Sequence, residues 1–216
     1  MVNDFLINLL DYVQYILILP FVIGLLHFAF IKKEIKIVFY YVLLAITSEI
    51  ISRTLVYFFK FSNILPLLHI YTVFEFFIIW LFFFKYFNNF YSKKRMKILL
   101  IVFIFFAIFN SIFIQKIYTF NTYVRSLESL IIVALTLLTF NKIINELDTR
   151  YPTQQPVFWI NSGFLFYFSG NLVVFTLSNY FSKDNHLLSV SWGIHAILMV
   201  ILNCFIAIGL WRTKPQ

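Results

Sequence analysis

Three glutamates lie inside long apolar stretches, where a charged side chain is least expected: Glu49, Glu75 and Glu128. Removing a carboxylate from water is costly, so an acid retained in a membrane-embedded segment indicates a functional site. Arg53 follows Glu49 by four residues and Arg125 precedes Glu128 by three, which places each pair on one helix face. Each pair either neutralises itself within its helix or contributes to a shared polar site that binds a cation, a polar ligand or a proton.

Glu75 differs from the other two because its own apolar stretch has no cation at the same depth. His69, Thr72 and Glu75 form a ridge at spacing i, i+3, and Tyr71 lies one turn before Glu75. Burial disfavours the charged form of a carboxyl group. The sequence therefore predicts that Glu75 either meets a partner from another helix or carries a proton.

Further polar residues, among them Asn171, Trp192 and His195, lie in the last two apolar stretches. Charged side chains of membrane helices face the bundle interior, so these faces are predicted to converge on an outward-facing pocket with Glu49 and Glu75 as its floor. The alternative is a dispersed set of polar clamps between pairs of helices. The candidate ligand-binding residues are Glu49, Arg53, His69, Tyr71, Glu75, Glu128, Asn171, Trp192 and His195.

The same residue types also suit a metal ion. If a metal is bound, His69, Glu75 and His195 are the expected ligands, because imidazole nitrogen and carboxylate oxygen both bind zinc. The sequence contains no HExxH, HxxxH or CxxC motif, no GxSxG motif and no glycine-rich phosphate loop. No cofactor and no catalytic residue is therefore assigned.

Apolar stretches of about 20 residues carry these polar groups. The composition is 62% hydrophobic and only 12% charged, too few charges for a soluble domain, and about 20 helical residues cross a bilayer core. We predict an all-α polytopic membrane bundle of seven transmembrane helices that forms a single domain over residues 1–216. The seven stretches are approximately Tyr12–Ile31, Ile37–Phe59, Ile64–Phe84, Ile98–Gln115, Thr122–Ile144, Val157–Phe181 and Leu187–Leu210.

The basic residues are distributed asymmetrically between the loops. Seven spans place twelve of the 17 Lys and Arg residues on one side and three on the other, while Arg53 and Arg125 lie inside spans. The positive-inside rule then predicts an outside N-terminus and a cytoplasmic C-terminus in the cell (inner or plasma) membrane. This topology explains the net charge of +8 without a nucleic-acid partner. The cluster Lys93–Lys97 is predicted to face anionic lipid or to dock a protein partner at the basic cytoplasmic face.

Local signals shape individual helices. Polar residues at helical spacing over Asp4–Tyr15 predict an extension of the first helix, and Pro20 predicts a kink within it. Small residues around Gly163 and Gly170 repeat every seven positions, which predicts close packing of the sixth helix against a neighbour. The single cysteine, Cys204, is predicted to pack as a small apolar side chain.

These features favour an integral membrane protein whose outward-facing polar pocket binds a small polar or cationic ligand, as in a sensor, a receptor or a transporter. The inner halves of the apolar stretches are mostly apolar, which favours binding over passage. The alternative is an intramembrane enzyme, possibly metal-dependent, acting on a lipid or lipid-linked substrate. A third hypothesis is an assembly subunit whose glutamates contact another protein. The predicted partners are the lipid bilayer and a small-molecule ligand or lipid.

Overall fold

The computed structural model describes residues 12–146, 151–181 and 185–213, with side chains up to residue 177 and again from residue 186. These ranges are helical and contain no strand; the polar residues Asp4, Asn8 and Asp11 lie outside them. A short 3-10 turn, Pro152–Gln154, precedes the sixth helix. The helices are α1 Val13–His27, α2 Lys33–Tyr57, α3 Leu65–Phe87, α4 Lys93–Phe109, α5 Thr122–Asn145, α6 Pro156–Phe181 and α7 Asn185–Trp211.

Six of these helices, α2 to α7, are long and apolar enough to cross a membrane. The most apolar 18-residue segment of each helix has a mean hydropathy between 1.4 and 2.6, which agrees with the apolar stretches predicted from the sequence. The all-helical fold predicted from the sequence is therefore confirmed for the described residues, and six apolar helices of spanning length are consistent with a multi-pass membrane bundle.

Helix α1 is also apolar but is shorter than the predicted first stretch. Within the described residues it runs as a 3-10 turn over Val13–Leu17, continues as an α-helix over Ile18–His27 and then gives way to a turn. Pro20, predicted to kink the helix, lies in the first turn of the α-helical part, where its missing amide hydrogen costs no helical hydrogen bond. Because it ends at His27, the described part of α1 is shorter than the six spanning helices.

Helices α6 and α7 pack closely because glycines remove side-chain bulk between them. A Cβ atom added at Gly163 would lie 2.8 Å from Cβ of Phe205, and one at Gly209 would lie 2.5 Å from Cγ1 of Ile160. At Gly170 an added Cβ would meet the side chain of Leu198 at 2.5 Å. The small-residue seam predicted for the sixth helix is thus present and lets two backbones approach each other.

Long-range contacts define the two ends of the bundle. At the basic end, the His27 and Trp211 rings meet edge to face at 5.2 Å, and Nζ of Lys142 donates to the carbonyl oxygen of Tyr86 at 2.6 Å. At the opposite end, called the far end below, Nδ2 of Asn63 donates to the carbonyl oxygen of Tyr118 at 3.1 Å. Glu75 lies near the middle of α3, about 15 Å from the start of the helix at 1.5 Å per residue.

Helix α4 lies at the edge of the bundle. Its apolar window is only 17% buried, against 39% or more in the other five spanning helices. Phe103 of α4 stacks on Phe76 of α3 with ring centroids 3.7 Å apart, and Nε1 of Trp80 donates to the carbonyl oxygen of Met96 at 2.9 Å. The helix then passes through a π-helical turn, Asn110–Ile114, into the far-end loop.

Candidate functional site

Two buried glutamates from different helices share one arginine. Nη1 of Arg125 in α5 donates to Oε2 of Glu75 in α3 at 2.5 Å and contacts Oε2 of Glu128, one turn along α5, at 3.4 Å. The three side chains are 7%, 1% and 0% exposed. We call these three residues the triad; it supplies a partner from another helix, one of the two alternatives predicted for Glu75.

The carboxylate of Glu75 is the better-satisfied of the two. Its Oε2 accepts from Arg125, and its Oε1 accepts from the hydroxyl groups of Tyr41 and Tyr71 at 3.2 Å each. Tyr41 lies in α2, so three helices hold this carboxylate. Hydrogen bonds to an ionised carboxylate stabilise its charge in a low-dielectric interior.

Glu128 is held much less firmly. Its contact with Arg125 is long, and its Oε1 has no hydrogen-bond partner among the described residues. Nε of Arg125 and Oγ of the adjacent Ser129 are likewise buried without a described partner. Unsatisfied buried polar atoms are costly, so these three atoms mark where water, a proton or a ligand would be stabilised.

The triad carries an odd charge. With both glutamates ionised, two negative charges meet one positive charge, and the formal sum is −1. The Arg125 guanidinium also lies over the rings of Tyr71 and Phe175, with its carbon 5.4 Å and 5.2 Å from the ring centroids. These rings stabilise the cation but do not neutralise the second carboxylate.

A hollow of about 90 Å³ opens beside the triad at the far end. Arg125 and His195 form its inner polar lining, and Ser191 and Trp192 of α7 line one wall. Aromatic and aliphatic side chains make up most of the remainder. The lining residues are Leu68, Phe120, Asn121, Thr122, Arg125, Val174, Phe175, Leu188, Ser191, Trp192 and His195.

His195 is fixed within this wall by Asn171 of α6. Its Nδ1 lies 2.8 Å from Oδ1 of Asn171, so Nδ1 carries the hydrogen and donates, and Nε2 of the neutral ring keeps a lone pair. The ring also packs against Trp192 edge to face at 5.6 Å and against Tyr167 at 5.8 Å. The structure thus brings His195, Asn171 and Trp192 together beside the triad.

Glu49 and Arg53 lie elsewhere. Nε of Arg53 donates to Oε1 of Glu49 at 2.6 Å, and the two side chains are 35% and 36% exposed. They line a separate, open hollow of about 400 Å³ together with Tyr12 and Tyr15, and the Arg53 guanidinium lies 5.7 Å from the Tyr15 ring. This pair neutralises itself within α2, one of the two alternatives for its spacing.

His69 also bonds away from the triad. Its Nδ1 lies 2.8 Å from Oγ of Ser111, and its Nε2 lies 3.0 Å from the carbonyl oxygen of Thr119. Because a carbonyl oxygen only accepts, Nε2 donates to Thr119; the Ser111 hydroxyl also donates to the carbonyl oxygen of Ala107 at 2.9 Å. His69 therefore ties α3 to the end of α4 and to the far-end loop.

The residues expected to bind a metal are not gathered into one group. His69, Glu75 and His195 each bond to different neighbours, and no set of three or more His, Cys, Asp or Glu side chains suited to a metal occurs among the described residues. The arrangement in the described part of the chain offers hydrogen bonding and charge recognition.

Sequence reasoning missed three contributors. Arg125 was treated as a local partner of Glu128. A cation inside one span, Arg125, and an acid without a cation in another span, Glu75, together indicate pairing between helices. Tyr41 and Tyr167 carry no such signal, because nothing distinguishes them among the 13 tyrosines. Their roles depend on how α2 and α6 pack against α3.

No protein-family model matches this sequence, and no curated protein or solved structure matches it at a significant level. Function is therefore inferred from the chain's own residues.

Proposed function

We propose that the protein is a seven-helix integral membrane protein that binds a small polar or cationic ligand in the far-end hollow, as a sensor or a transporter does. The observation that carries this proposal is the triad: an almost completely buried Glu75–Arg125–Glu128 cluster with unsatisfied polar atoms, beside a hollow that Arg125 itself lines. A cluster needed only to link helices would be expected to satisfy its own atoms.

The side of the membrane follows from charge. The basic end collects most of the Lys and Arg residues, so the positive-inside rule places it in the cytoplasm. The far-end hollow then opens to the outside of the plasma membrane, with α1 as a seventh, shorter membrane helix and the N-terminus outside. The cluster Lys93–Lys97 remains available to anionic lipid or to a cytoplasmic protein partner.

The proposed site is centred on only some of the residues that were predicted from the sequence. It is centred on Glu75, Arg125 and Glu128, with Tyr71, Asn171, Trp192 and His195 around them. Glu49, Arg53 and His69 would act indirectly, through the packing of α2 and the far-end loop, because their polar atoms bond to other partners.

Accessibility of the hollow tests the proposal. In a Cys204→Ala background, Ser191→Cys places a thiol on the hollow wall, while Ser169→Cys places one on an exposed position of α6. The two serines are matched, since each hydroxyl bonds to the carbonyl three residues earlier. Reaction with a small membrane-impermeant thiosulfonate added outside intact cells should be at least tenfold faster at position 191.

Ligand occupancy is then measured as protection. Acetamide, methylammonium or acetate should slow modification at position 191 in proportion to its binding and leave position 169 unchanged. An unreactive thiol at position 191, in a protein that is inserted and folded, would contradict an outward-open hollow and with it the proposed function.

A further inference from the structure

The charged group that the hollow presents is the guanidinium. Arg125 lines the hollow, whereas Glu75 and Glu128 do not; both carboxylates lie on Nη1 of Arg125. A ligand entering from the far end therefore meets Arg125 before either carboxylate. Resting on the proposed function, this order favours a ligand that accepts hydrogen bonds and carries negative charge over a cation.

Arg125 has more hydrogen-bond donors than its contacts with the two glutamates use. A guanidinium offers five N–H donors in a plane that matches a carboxylate. Only Nη1 reaches the two glutamates, and Nε has no partner among the described residues. The Arg125–Glu128 contact is long at 3.4 Å, so Glu128 is the carboxylate that a competing oxyanion would displace. Glu75, with donors on both oxygens, would stay in place.

The volume limits the size of the ligand. A cavity of about 150 Å³ holds the six carbons of benzene, so about 90 Å³ has room for roughly four non-hydrogen atoms. Acetate has four. The aromatic walls formed by Phe120, Phe175 and Trp192 suit its apolar methyl group.

We propose that the hollow binds a small monocarboxylate, which replaces Glu128 on Arg125, and that Glu128 takes up one proton from solvent in the same event. The carboxylate enters as an anion, one O–H bond forms on Glu128, and no covalent bond breaks in the ligand. Binding is therefore linked to the uptake of one proton for each carboxylate.

Charge balance supports this coupling. With both glutamates ionised the triad has a formal charge of −1, a bound anion alone would bring the site to −2, and a proton on Glu128 returns it to −1. Uncompensated charge is costly in a buried site. Among the residues that the structure describes, no second Lys or Arg is paired with the cluster. Besides its three members, the described titratable groups that face the triad are Tyr41 of α2, Tyr71 of α3, Tyr167 of α6 and His195 of α7.

Calorimetry on the purified full chain tests the inference. Acetate is titrated at one pH in phosphate and in Tris, whose ionisation enthalpies differ. The slope of observed enthalpy against buffer ionisation enthalpy should give one proton taken up per acetate. Since binding takes up a proton, acetate affinity should fall about tenfold for each unit of rising pH while Glu128 is ionised in the free protein.

Glu128→Gln provides the decisive variant. It removes the titrating group and should bind acetate without proton uptake and with an affinity that does not change with pH. Glu146→Gln, at a side chain 52% exposed beyond the end of α5, is the matched control and should keep the uptake of one proton. If Glu128→Gln does not fold, Glu128→Asp should retain the coupling with altered affinity.

Each outcome is informative. Acetate binding without proton uptake would overturn the exchange at Arg125. Binding of methylammonium or acetamide but not acetate would overturn the monocarboxylate inference and leave the proposed function standing. Failure of all three, together with an unreactive thiol at position 191, would remove both.

Discussion

The molecule contains two arginine–glutamate sites built on different principles. Glu49 and Arg53 form a pair within α2, one turn apart and about one-third exposed. The triad joins α3 to α5, is almost completely buried and places two acids on one base. The first site is complete within one helix, whereas the second exists only when several helices have assembled.

The comparison distinguishes the energetic cost of a buried charged side chain from its functional role. A partly exposed pair keeps much of its solvation, gains little from pairing and loses little when broken. A buried cluster depends on its shared cation, because removing Arg125 leaves two carboxylates uncompensated. The same residue types therefore support insertion at one site and a proposed binding chemistry at the other, and four measurements can break or sharpen the distinction.

The largest effect is expected at Arg125. Arg125→Met leaves two carboxylates without their cation, which should cost about 3–5 kcal/mol in the free energy of unfolding. Reversible unfolding in mixed micelles measures this cost. Adding Glu75→Gln and Glu128→Gln to the variant should restore more than half of the loss. If Arg125→Met alone had a free energy of unfolding within about 1 kcal/mol of that of the unaltered protein, the two glutamates would not depend on Arg125.

The two acids of the triad should differ from each other. Glu75→Gln replaces a carboxylate that accepts from three donors and should lose about 2–3 kcal/mol, since hydrogen bonds to charged groups are the strong ones. Glu128→Gln removes one long contact and should change stability by less than about 1 kcal/mol. Equal losses in the same unfolding assay would contradict the assigned asymmetry.

Tyr41→Phe tests how much a single hydrogen bond to Glu75 contributes to stability. It removes the hydroxyl group that α2 contributes to Glu75 and should lower the free energy of unfolding by about 1.5 kcal/mol. Tyr40→Phe, at the exposed neighbouring position, is the control and should have no measurable effect. A similar loss in both variants would mean that the bond to Glu75 contributes nothing specific.

The smallest effect is expected at the pair in α2. Glu49→Gln and Arg53→Gln should each cost about 0.2–1 kcal/mol, and the double-mutant coupling energy should stay below about 1 kcal/mol. A coupling as large as that of Arg125 with Glu75 would show that the two sites do not differ in kind.

The sequence was sufficient for the architecture because membrane spanning requires long apolar helices, and these are visible as apolar stretches. It was less informative about α1, whose 3-10 turn over Val13–Leu17 and end at His27 depend on local turn geometry rather than on hydropathy. The seam at Gly163 and Gly170 could also be predicted, because close backbone approach requires small residues at regular spacing.

The site was only partly predictable. Spacing within one helix identified the Glu49–Arg53 pair, but the partner of Glu75 is 50 positions away, and no pattern within one helix encodes the rotation of α3 against α5. His69 was expected at the pocket and instead bonds to Ser111 and Thr119. The π-helical turn of α4, which presents Ser111, is set by packing at the far end rather than by residue type.

The loose packing of α4 has a mechanical consequence. Its apolar stretch from Lys93 to Ile114 is only 17% buried in the bundle, so packing constrains its tilt less than in the other spanning helices, and tilting can take up a mismatch between its length and the bilayer thickness. Two hydrogen bonds, His69 to Ser111 and Trp80 to Met96, fasten it to α3 on either side of Glu75. Lipids with shorter or longer acyl chains should therefore strain α3 at the position of that carboxylate, which makes acyl-chain length a variable to control when acetate affinity is compared between preparations.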